Sequence, residues 1–187
     1  MYIHDLNSNS EKTILLIHSM LTNAYELKRI LVDRMKLSDV RVIIPDLTGH
    51  GKAKGETYIS SSREAFILHK YFLAKGISEI KFAFGVSLGS NVIFELLKYQ
   101  DIKIDSVIME GASVRKSSFF KQFVFSKYLN GLKSLVSLSE NFASKVLSIL
   151  IEKKISTVMV NELVNMSKES IDNMIKDYSR VDLPYLR

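Results

Sequence analysis

Between Thr13 and Glu110 the chain alternates two kinds of segment, and this alternation restricts the fold more than any other feature of the sequence. Short runs rich in β-branched residues are typical of strands buried on both faces, whereas the longer segments between them carry apolar residues at helical spacing. The predicted strands are 13–17, 41–45, 80–84 and 106–110, and the predicted helices lie near 24–37, 60–74 and 87–99. This β-α-β-α-β-α-β order predicts an α/β fold, a mostly parallel sheet with right-handed crossovers and helices on both faces.

The third predicted helix supports this arrangement. Leu88, Val92 and Leu96 follow the spacing i, i+4, i+8 and, together with Ile93, form one apolar stripe that a sheet could cover. In open sheets of this kind, ligands bind at the carboxyl ends of the strands. We therefore expect the functional residues in the loops that follow the four predicted strands.

The pattern changes after the last of these strands. Residues 1–112 are predicted to form the α/β core, and residues 113–180, with one glycine, no proline and mostly helical spacing, to form a cap of two to four helices. The aromatic residues of the cap either pack it on the sheet, which is the interpretation we favour, or line an apolar groove. These residues are Phe119, Phe120, Phe123, Phe125 and Tyr128. Residues 181–187 are predicted to begin a strand that returns to the core.

Composition excludes several classes of function. The chain of 187 residues fits one domain, and without cysteine it can form neither a disulfide nor a thiolate nucleophile or metal site. The four histidines share no metal-ligand spacing, so we predict neither a metal nor a cofactor. The net charge of +6 is scattered along the chain, which argues against nucleic-acid binding. No segment is suited to stable membrane insertion and the start lacks the pattern of a secretory signal, so a cytoplasmic location is expected.

The stretch "FAFGVSLGSNV", residues 82–92, runs from a predicted strand through a serine between two glycines into a predicted helix. A serine attacks well only when it is lifted clear of the sheet on a sharp strand-to-helix turn, and Gly85 and Gly89 leave room for such a turn. The Leu88 amide would then point from the helix N-terminus to the place where negative charge develops. The turn therefore predicts Ser87 as a nucleophile, and the alternative is a plain helix cap.

Two other loops lie at the same edge of the predicted sheet. In "LLIHSMLTNAYEL", Met20 is the best candidate for a second oxyanion donor, while His18 is either a buried residue that shapes the loop, which we favour, or a base. In "PDLTGHGKAKGE", the glycines around His50 mark a tight loop, and no phosphate-loop ending is present. Glu110 ends the last strand, where it anchors backbone or, less favoured, holds a base histidine.

Together these three segments resemble the α/β-hydrolases, close to the branch of monoacylglycerol lipases and carboxylesterases. "LLIHSM" is similar to the oxyanion segment of that family, "PDLTGHGKAKGE" to its Asp-x-x-Gly-His-Gly loop and "GVSLGS" to its nucleophile elbow, over residues 13–112. The resemblance implies that Ser87 is the nucleophile of a serine esterase, that Met20 and Leu88 supply oxyanion amides, and that His18 and His50 shape loops. One departure is Ser19, where the family usually has glycine; this bears on the backbone geometry of Met20.

A larger departure from the family pattern is a missing histidine. The chain order of the family is serine, acid, histidine, but no histidine follows His69 in this sequence. We expect a C-terminally shortened chain whose parent hydrolyses small-molecule carboxylic esters, and little turnover from the chain itself, because loss of a triad member typically costs roughly 10⁴ to 10⁶ in rate. The alternative is a catalytically dead member that binds ligands or partners. Without the last strands, the 106–110 strand would be a free edge, and self-association is expected.

Overall fold

The computed structural model describes residues 1–112, 118–138 and 153–178. Its strands are β1 (Tyr2–Leu6), β2 (Thr13–Ile17), β3 (Arg41–Asp46), β4 (Glu79–Ile80), β5 (Phe82–Val86), β6 (Lys103–Ile104) and β7 (Val107–Glu110). Its α-helices are α1 (Ala24–Leu27), α2 (Asp33–Met35), α3 (Ser61–Ala74), α4 (Leu88–Leu96), α5 (Phe119–Leu138), α6 (Lys153–Asn165) and α7 (Lys168–Tyr178), and two further turns are a π-helical segment (Lys28–Val32) and a 3-10 turn (Gly51–Ala53). The prediction for residues 181–187 lies outside the described residues.

Five strands form one sheet in the order β1-β3-β2-β5-β7. β3, β2, β5 and β7 are parallel to one another, and β1 runs antiparallel to β3 at the edge. β2 and β5 are neighbours in the centre, with Ile17 opposite Gly85. The loop that follows β2 and the turn that follows β5 therefore leave the sheet side by side, and the predicted mostly parallel sheet is confirmed.

Helices cover both faces of the sheet, as predicted. On one face Leu16 of β2 packs with Ala24 and Leu27 of α1. On the other face Leu15 packs in a larger cluster that includes Leu68 of α3. The predicted stripe of α4, Leu88, Val92, Ile93 and Leu96, is buried in this second cluster.

The structure corrects several predicted boundaries. β1 was not predicted; it is an edge strand whose residues are exposed or only partly buried, and such a strand lacks a strong apolar pattern. The helix predicted over 24–37 is interrupted by the π-helical segment and ends at Met35, before Lys36, which is left-handed with φ of 52°. The elbow strand ends two residues later than predicted, at Val86, and α4 ends at Leu96, three residues before the predicted 99.

The helices α5, α6 and α7 pack together through polar contacts as well as apolar ones. Asp172 of α7 accepts hydrogen bonds from Ser126 Oγ (2.5 Å) and Asn130 Nδ2 (3.1 Å) of α5. Lys133 of α5 donates to the carbonyl oxygens of Val164 and Met166, where α6 ends, so a cation satisfies carbonyls at the negative end of that helix. These helices fall within the predicted cap, of which residues 113–117, 139–152 and 179–180 lie outside the described part; the boundary at residue 112 stays a prediction.

Four of the five aromatic residues of α5 do not pack the cap on the sheet, and the interpretation we favoured is wrong for these four. Phe120, Phe123, Phe125 and Tyr128 are all exposed, Phe120 by 73%. Leu129 is the residue of α5 that is buried in the core cluster, with Leu132 packed against that cluster. The side chain of Phe119 lies outside the described part.

Among the described residues, no helix is both long and apolar enough to cross a membrane.

Within the described part of the chain, β7 pairs on one side only, with β5, and its outward side chain Ile108 is exposed. We propose that this edge pairs with that of a second copy, because unpaired strand edges are templates for pairing. Light scattering coupled to gel filtration should give a mass above 21.3 kDa for the wild type. Ile108→Lys should shift the protein to monomer, since a charged side chain blocks edge pairing, whereas Ile59→Lys, at an exposed site away from the edge, should not. A monomeric wild type would contradict the proposal.

Candidate active site

Ser87 lies at a sharp turn between β5 and α4, with φ of 50° and ψ of −107°. A non-glycine residue held in such a conformation costs on the order of 1–3 kcal/mol, and surrounding contacts must maintain it. The Ser87 amide donates to the carbonyl oxygen of Glu110 at 2.7 Å, and Ser90 N donates to the Ser87 carbonyl oxygen at 3.0 Å. Both the strand beside the turn and the helix after it therefore hold the strained residue in place.

Other atoms of the protein lie so close to the two glycines that flank the serine that glycine is required at both positions. A Cβ atom on Gly85 would lie 2.7 Å from the carbonyl carbon of Gly89, and a Cβ atom on Gly89 would lie 2.8 Å from the His18 carbonyl oxygen and would overlap that of Ile17. No side chain fits at either position. The expectation that the turn tolerates little bulk is confirmed, and the overlap shows that the start of α4 lies against the end of β2.

The loop after β2 brings Met20 to the same place. Met20, Ser87 and Leu88 line one cavity. Among the hydrogen bonds of the described residues, none is donated by the Met20 or Leu88 amide. Ser19 is not among the residues with positive φ; the left-handed residue of this loop is Leu21, with φ of 62°. The serine at position 19 therefore does not need a conformation reserved for glycine.

His18 and His50 bridge the two loops in a reciprocal way. His18, after β2, accepts a hydrogen bond at Nε2 from the Leu47 amide after β3 (3.1 Å), while His50, after β3, accepts at Nε2 from the Leu21 amide (3.3 Å). Each ring donates from Nδ1 to a backbone carbonyl oxygen, His18 to Ser19 at 2.8 Å and His50 to that of Thr48 at 3.2 Å. Both nitrogens of each ring are used, so neither histidine has one free to serve as a base.

This bonding requires both rings to be neutral, because a ring nitrogen that accepts a hydrogen bond cannot carry a proton. Both side chains are buried. Burial lowers the pKa of His18, and burial together with the neighbouring His18 lowers the pKa of His50 to about 3. The histidines are therefore uncharged polar links between loops.

Asp46, at the end of β3, joins the same network. Its Oδ1 accepts from the Ala24 amide (2.8 Å), and its Oδ2 accepts from the Lys52 amide and from His4 Nε2, both at 3.0 Å. Burial acts to raise the pKa of Asp46, but these hydrogen bonds, led by that of His4, outweigh it and the pKa lies below its usual value. A Cβ atom on Gly51 would overlap this carboxylate, so glycine at 51 is required for the loop to close over it.

Glu110 contributes its backbone, as the favoured interpretation expected. Its carbonyl oxygen accepts from the Ser87 amide and, at 3.2 Å, from Ser90 Oγ, while its side chain is exposed. The four histidines of the chain are all in the described part; their hydrogen bonds go to partners other than Glu110, and none of them lines the cavity that contains Ser87.

Two residues of the site region were not identified from the sequence. Asn23 caps α1, its Oδ1 accepting from the Glu26 amide at 3.1 Å, and asparagine directly before a helix is a signal that could have indicated this role. Glu162 of α6 contacts both loops, accepting from Asn23 Nδ2 and from the Gly51 amide. No local pattern marks Glu162, because both partners lie more than a hundred residues earlier in the chain.

The cavity above Ser87 has a volume of about 550 Å³, within the usual range for small-molecule sites. Its floor is formed by the loop after β2 and the start of α4, and its walls by the three helices α5, α6 and α7. The lining residues are Met20, Leu21, Ser87, Leu88, Lys121, Gln122, Phe125, Tyr128, Leu129, Leu132, Met159, Leu163, Met174 and Ile175. Most are apolar, and Phe125 and Tyr128 fit the alternative that the sequence left open, aromatic residues lining an apolar groove. No group of three or more potential metal ligands occurs in the described ranges.

Comparison with known structures identifies the fold. An α/β hydrolase family protein from Desulfitobacterium hafniense superposes with a TM-score of 0.75 at 16% identity, over 97% of this chain and 73% of that one. A hydrolase from Pseudomonas aeruginosa gives a TM-score of 0.71 at 13% identity, over 96% and 68%, and an esterase from a marine microorganism 0.70 at 15%, over 98% and 76%.

Comparisons with models of protein families and with curated proteins gave no match. The structural likeness by itself establishes the fold. The chain has the α/β-hydrolase fold, as the sequence motifs predicted. The monoacylglycerol lipase and carboxylesterase-like branch stays a prediction.

The neutral state of His50 makes a prediction about stability and pH. The pKa of His50 in the folded state lies below its unfolded value of about 6.5. The contribution of the neutral ring to the free energy of unfolding is therefore fully present above pH 6.5 and is lost as the pH falls towards 3. Between pH 7 and pH 5 this residue should lower the free energy of unfolding by about 2 kcal/mol, since the unfolded state binds a proton that the folded state does not.

Urea unfolding at the two pH values measures this effect. His50→Gln should reduce the difference in unfolding free energy between pH 7 and pH 5 by that amount, whatever its overall stability, because glutamine does not titrate. An unchanged difference would show that His50 is protonated in the folded state.

Proposed function

We propose that this protein is a serine hydrolase that acts on carboxylic esters, with Ser87 forming an acyl-serine intermediate. The observation that carries the proposal is the conformation of Ser87, a strained turn at the start of a helix that opens into an apolar cavity. Strain of this kind persists only where surrounding structure maintains it, and it clusters at functional sites. The α/β-hydrolase fold, shared with an esterase, supports the same conclusion.

In this proposal the Ser87 hydroxyl oxygen attacks the ester carbonyl carbon, and its proton passes to a base. The carbonyl oxygen becomes an oxyanion that the amides of Met20 and Leu88 stabilise, the latter from the positive end of α4. Collapse of this intermediate breaks the bond to the alcohol oxygen, which leaves with a proton, and the acyl group stays on Ser87. Water then hydrolyses the acyl-serine by the same route.

The four histidines of this chain do not supply a base that accepts the proton of Ser87. His18 and His50 use both ring nitrogens in the loop bridges, and His4 and His69 bond to Asp46 and Asp101. Turnover by this stretch of chain should therefore be slow compared with that of a complete triad. An external base such as imidazole should accelerate acylation, because the Ser87 hydroxyl and the amides of Met20 and Leu88 are in place without it.

Labelling with a fluorophosphonate in imidazole buffer tests the nucleophile. Mass spectrometry should find one adduct, on Ser87, in the folded protein and none after denaturation, because reactivity depends on the strained turn and the oxyanion donors. Ser87→Ala should abolish the adduct. Ser106→Ala removes an exposed serine that directly precedes the neighbouring strand β7 and should leave labelling unchanged. A folded wild type that stays unlabelled over the range of imidazole concentrations would reject the proposal.

The lining of the cavity suggests an apolar acyl group. Each methylene buried in it is worth about 0.8 kcal/mol, so kcat/KM for p-nitrophenyl esters should rise about fourfold per added methylene until the cavity is filled. Met159→Trp, in the wall, should move the optimum to shorter acyl chains by occupying that space. Asn161→Trp, on the exposed side of the same helix, is the matched control. A flat dependence on chain length would place the acyl group outside the cavity.

A second candidate, from another class, is a protein that binds an apolar ligand without turnover. The observation that favours it is the absence of a histidine from the cavity. Binding of a fluorescent fatty acid that Met159→Trp weakens, together with an unreactive Ser87, would support this function over the enzyme.

A further inference from the structure

Glu162 lies on α6 of the cap but bonds to both loops that flank the candidate site. Its side chain is buried, with 7% of the residue exposed. Oε1 accepts from Asn23 Nδ2 at 2.7 Å, and Oε2 accepts from the Gly51 amide at 3.0 Å. One carboxylate therefore connects the loop after β2, the loop after β3 and the cap.

In the hydrogen bond between Asn23 and Glu162, the donor and acceptor roles are fixed. Asn23 Oδ1 accepts from the Glu26 amide, so the side-chain amide cannot turn over without uncapping α1. Its Nδ2 group must face Glu162, and Gly51 likewise presents a backbone donor. Both partners are donors, and only a residue that accepts at both ends of its side chain satisfies them.

The segment between these anchors carries Met20. On one side of Met20, His18 is bonded to the Leu47 amide, and on the other side Leu21 donates to His50. Asn23, three residues after Met20, is the point where the same segment meets the cap. The bond from Asn23 to Glu162 therefore ties the position of this loop to the cap.

We propose that Glu162 is a positioning residue. Through its bonds to Asn23 and Gly51, it fixes the loop that carries Met20, so that the Met20 amide faces the ester oxygen on which negative charge develops beside Ser87. The proposal rests on the proposed function. It means that the oxyanion site is complete only when the cap is docked, so that the helices which form the acyl cavity also complete the site of reaction. Docking of the cap and reactivity of Ser87 are then coupled.

A reversal of hydrogen-bond polarity provides the sharpest test. Glu162→Gln keeps the size of the side chain but leaves one donor facing an NH₂ group. Asn23→Asp keeps the cap of α1, since a carboxylate oxygen can still accept from Glu26, but sets two carboxylates against each other. In the double variant E162Q/N23D, the new glutamine NH₂ group can donate to the new carboxylate while its oxygen accepts from Gly51, and both contacts are satisfied again.

The readouts are the rate of Ser87 labelling by a fluorophosphonate in imidazole buffer and the dissociation constant of a fluorescent fatty acid for the cavity, both corrected to the folded fraction. Each single variant should lower the labelling rate by roughly tenfold to a hundredfold, because misplacing a donor or reacting group by about 1 Å costs on that order. Fatty-acid binding should change by less than about threefold. The double variant should recover most of the lost rate, and Glu169→Gln, at an exposed position of α7, should have no effect.

Three results would overturn the assignment in different ways. Single variants that label as fast as the wild type would show that Glu162 does not position the loop, with the proposed function intact. Loss of labelling in equal measure with loss of fatty-acid binding, or no recovery in the double variant, would show that Glu162 only docks the cap. A folded wild type that is not labelled would reject the proposed function itself, and the positioning role with it.

Discussion

The close approach between the start of α4 and the end of β2 is the constraint on which the rest of the site depends. Gly89 lies so near the carbonyl oxygens of Ile17 and His18 that no Cβ atom fits between them. This contact sets the strained Ser87 beside the loop that carries Met20, because the two segments leave neighbouring central strands at the same edge. Without it, the helix would stand away from the sheet and the hydroxyl would face no second loop.

Buried polar groups then hold the loops that the sheet delivers to this edge. Each loop contains backbone amides that regular structure does not satisfy, and an unpaired buried amide costs roughly 1–3 kcal/mol. His18, His50 and Asp46 supply acceptors to amides of other segments, and Glu64 does so for the Thr48 amide at 3.0 Å. Since every one of these bonds joins different segments of the chain, the network fixes the relative positions of those segments as well as satisfying the backbone. Neutral imidazole suits this purpose because it accepts and donates at once without a buried charge.

The sequence predicted the parts of this arrangement that depend on local pattern. Four parallel strands, the buried stripe of α4 and the glycines beside Ser87 all follow from periodicity or from local backbone geometry. It did not predict β1, whose half-exposed residues have no strong alternation, or the π-helical segment inside the first helix. It also missed Glu162, since a carboxylate on a helix looks like any solvated charge until its partners are known. The aromatic residues of α5 were misjudged for a related reason: composition shows that they are apolar but not which side of the helix meets the core.

Within the described part of the chain, polar contacts attach the cap to the core through both α6 and α7. Apart from Glu162, Asp177 of α7 accepts through one oxygen from Tyr58 OH (2.7 Å), Ser61 N (2.7 Å) and Ser61 Oγ (2.5 Å), at the start of α3. These directional bonds fix the register of the helix on the core, whereas its apolar contacts through Ile171, Met174 and Ile175 would tolerate sliding. Because α6 and α7 are each held in this way, the cavity they enclose keeps its width over Ser87. The shape of the apolar cavity therefore follows from a few buried polar contacts at its margin.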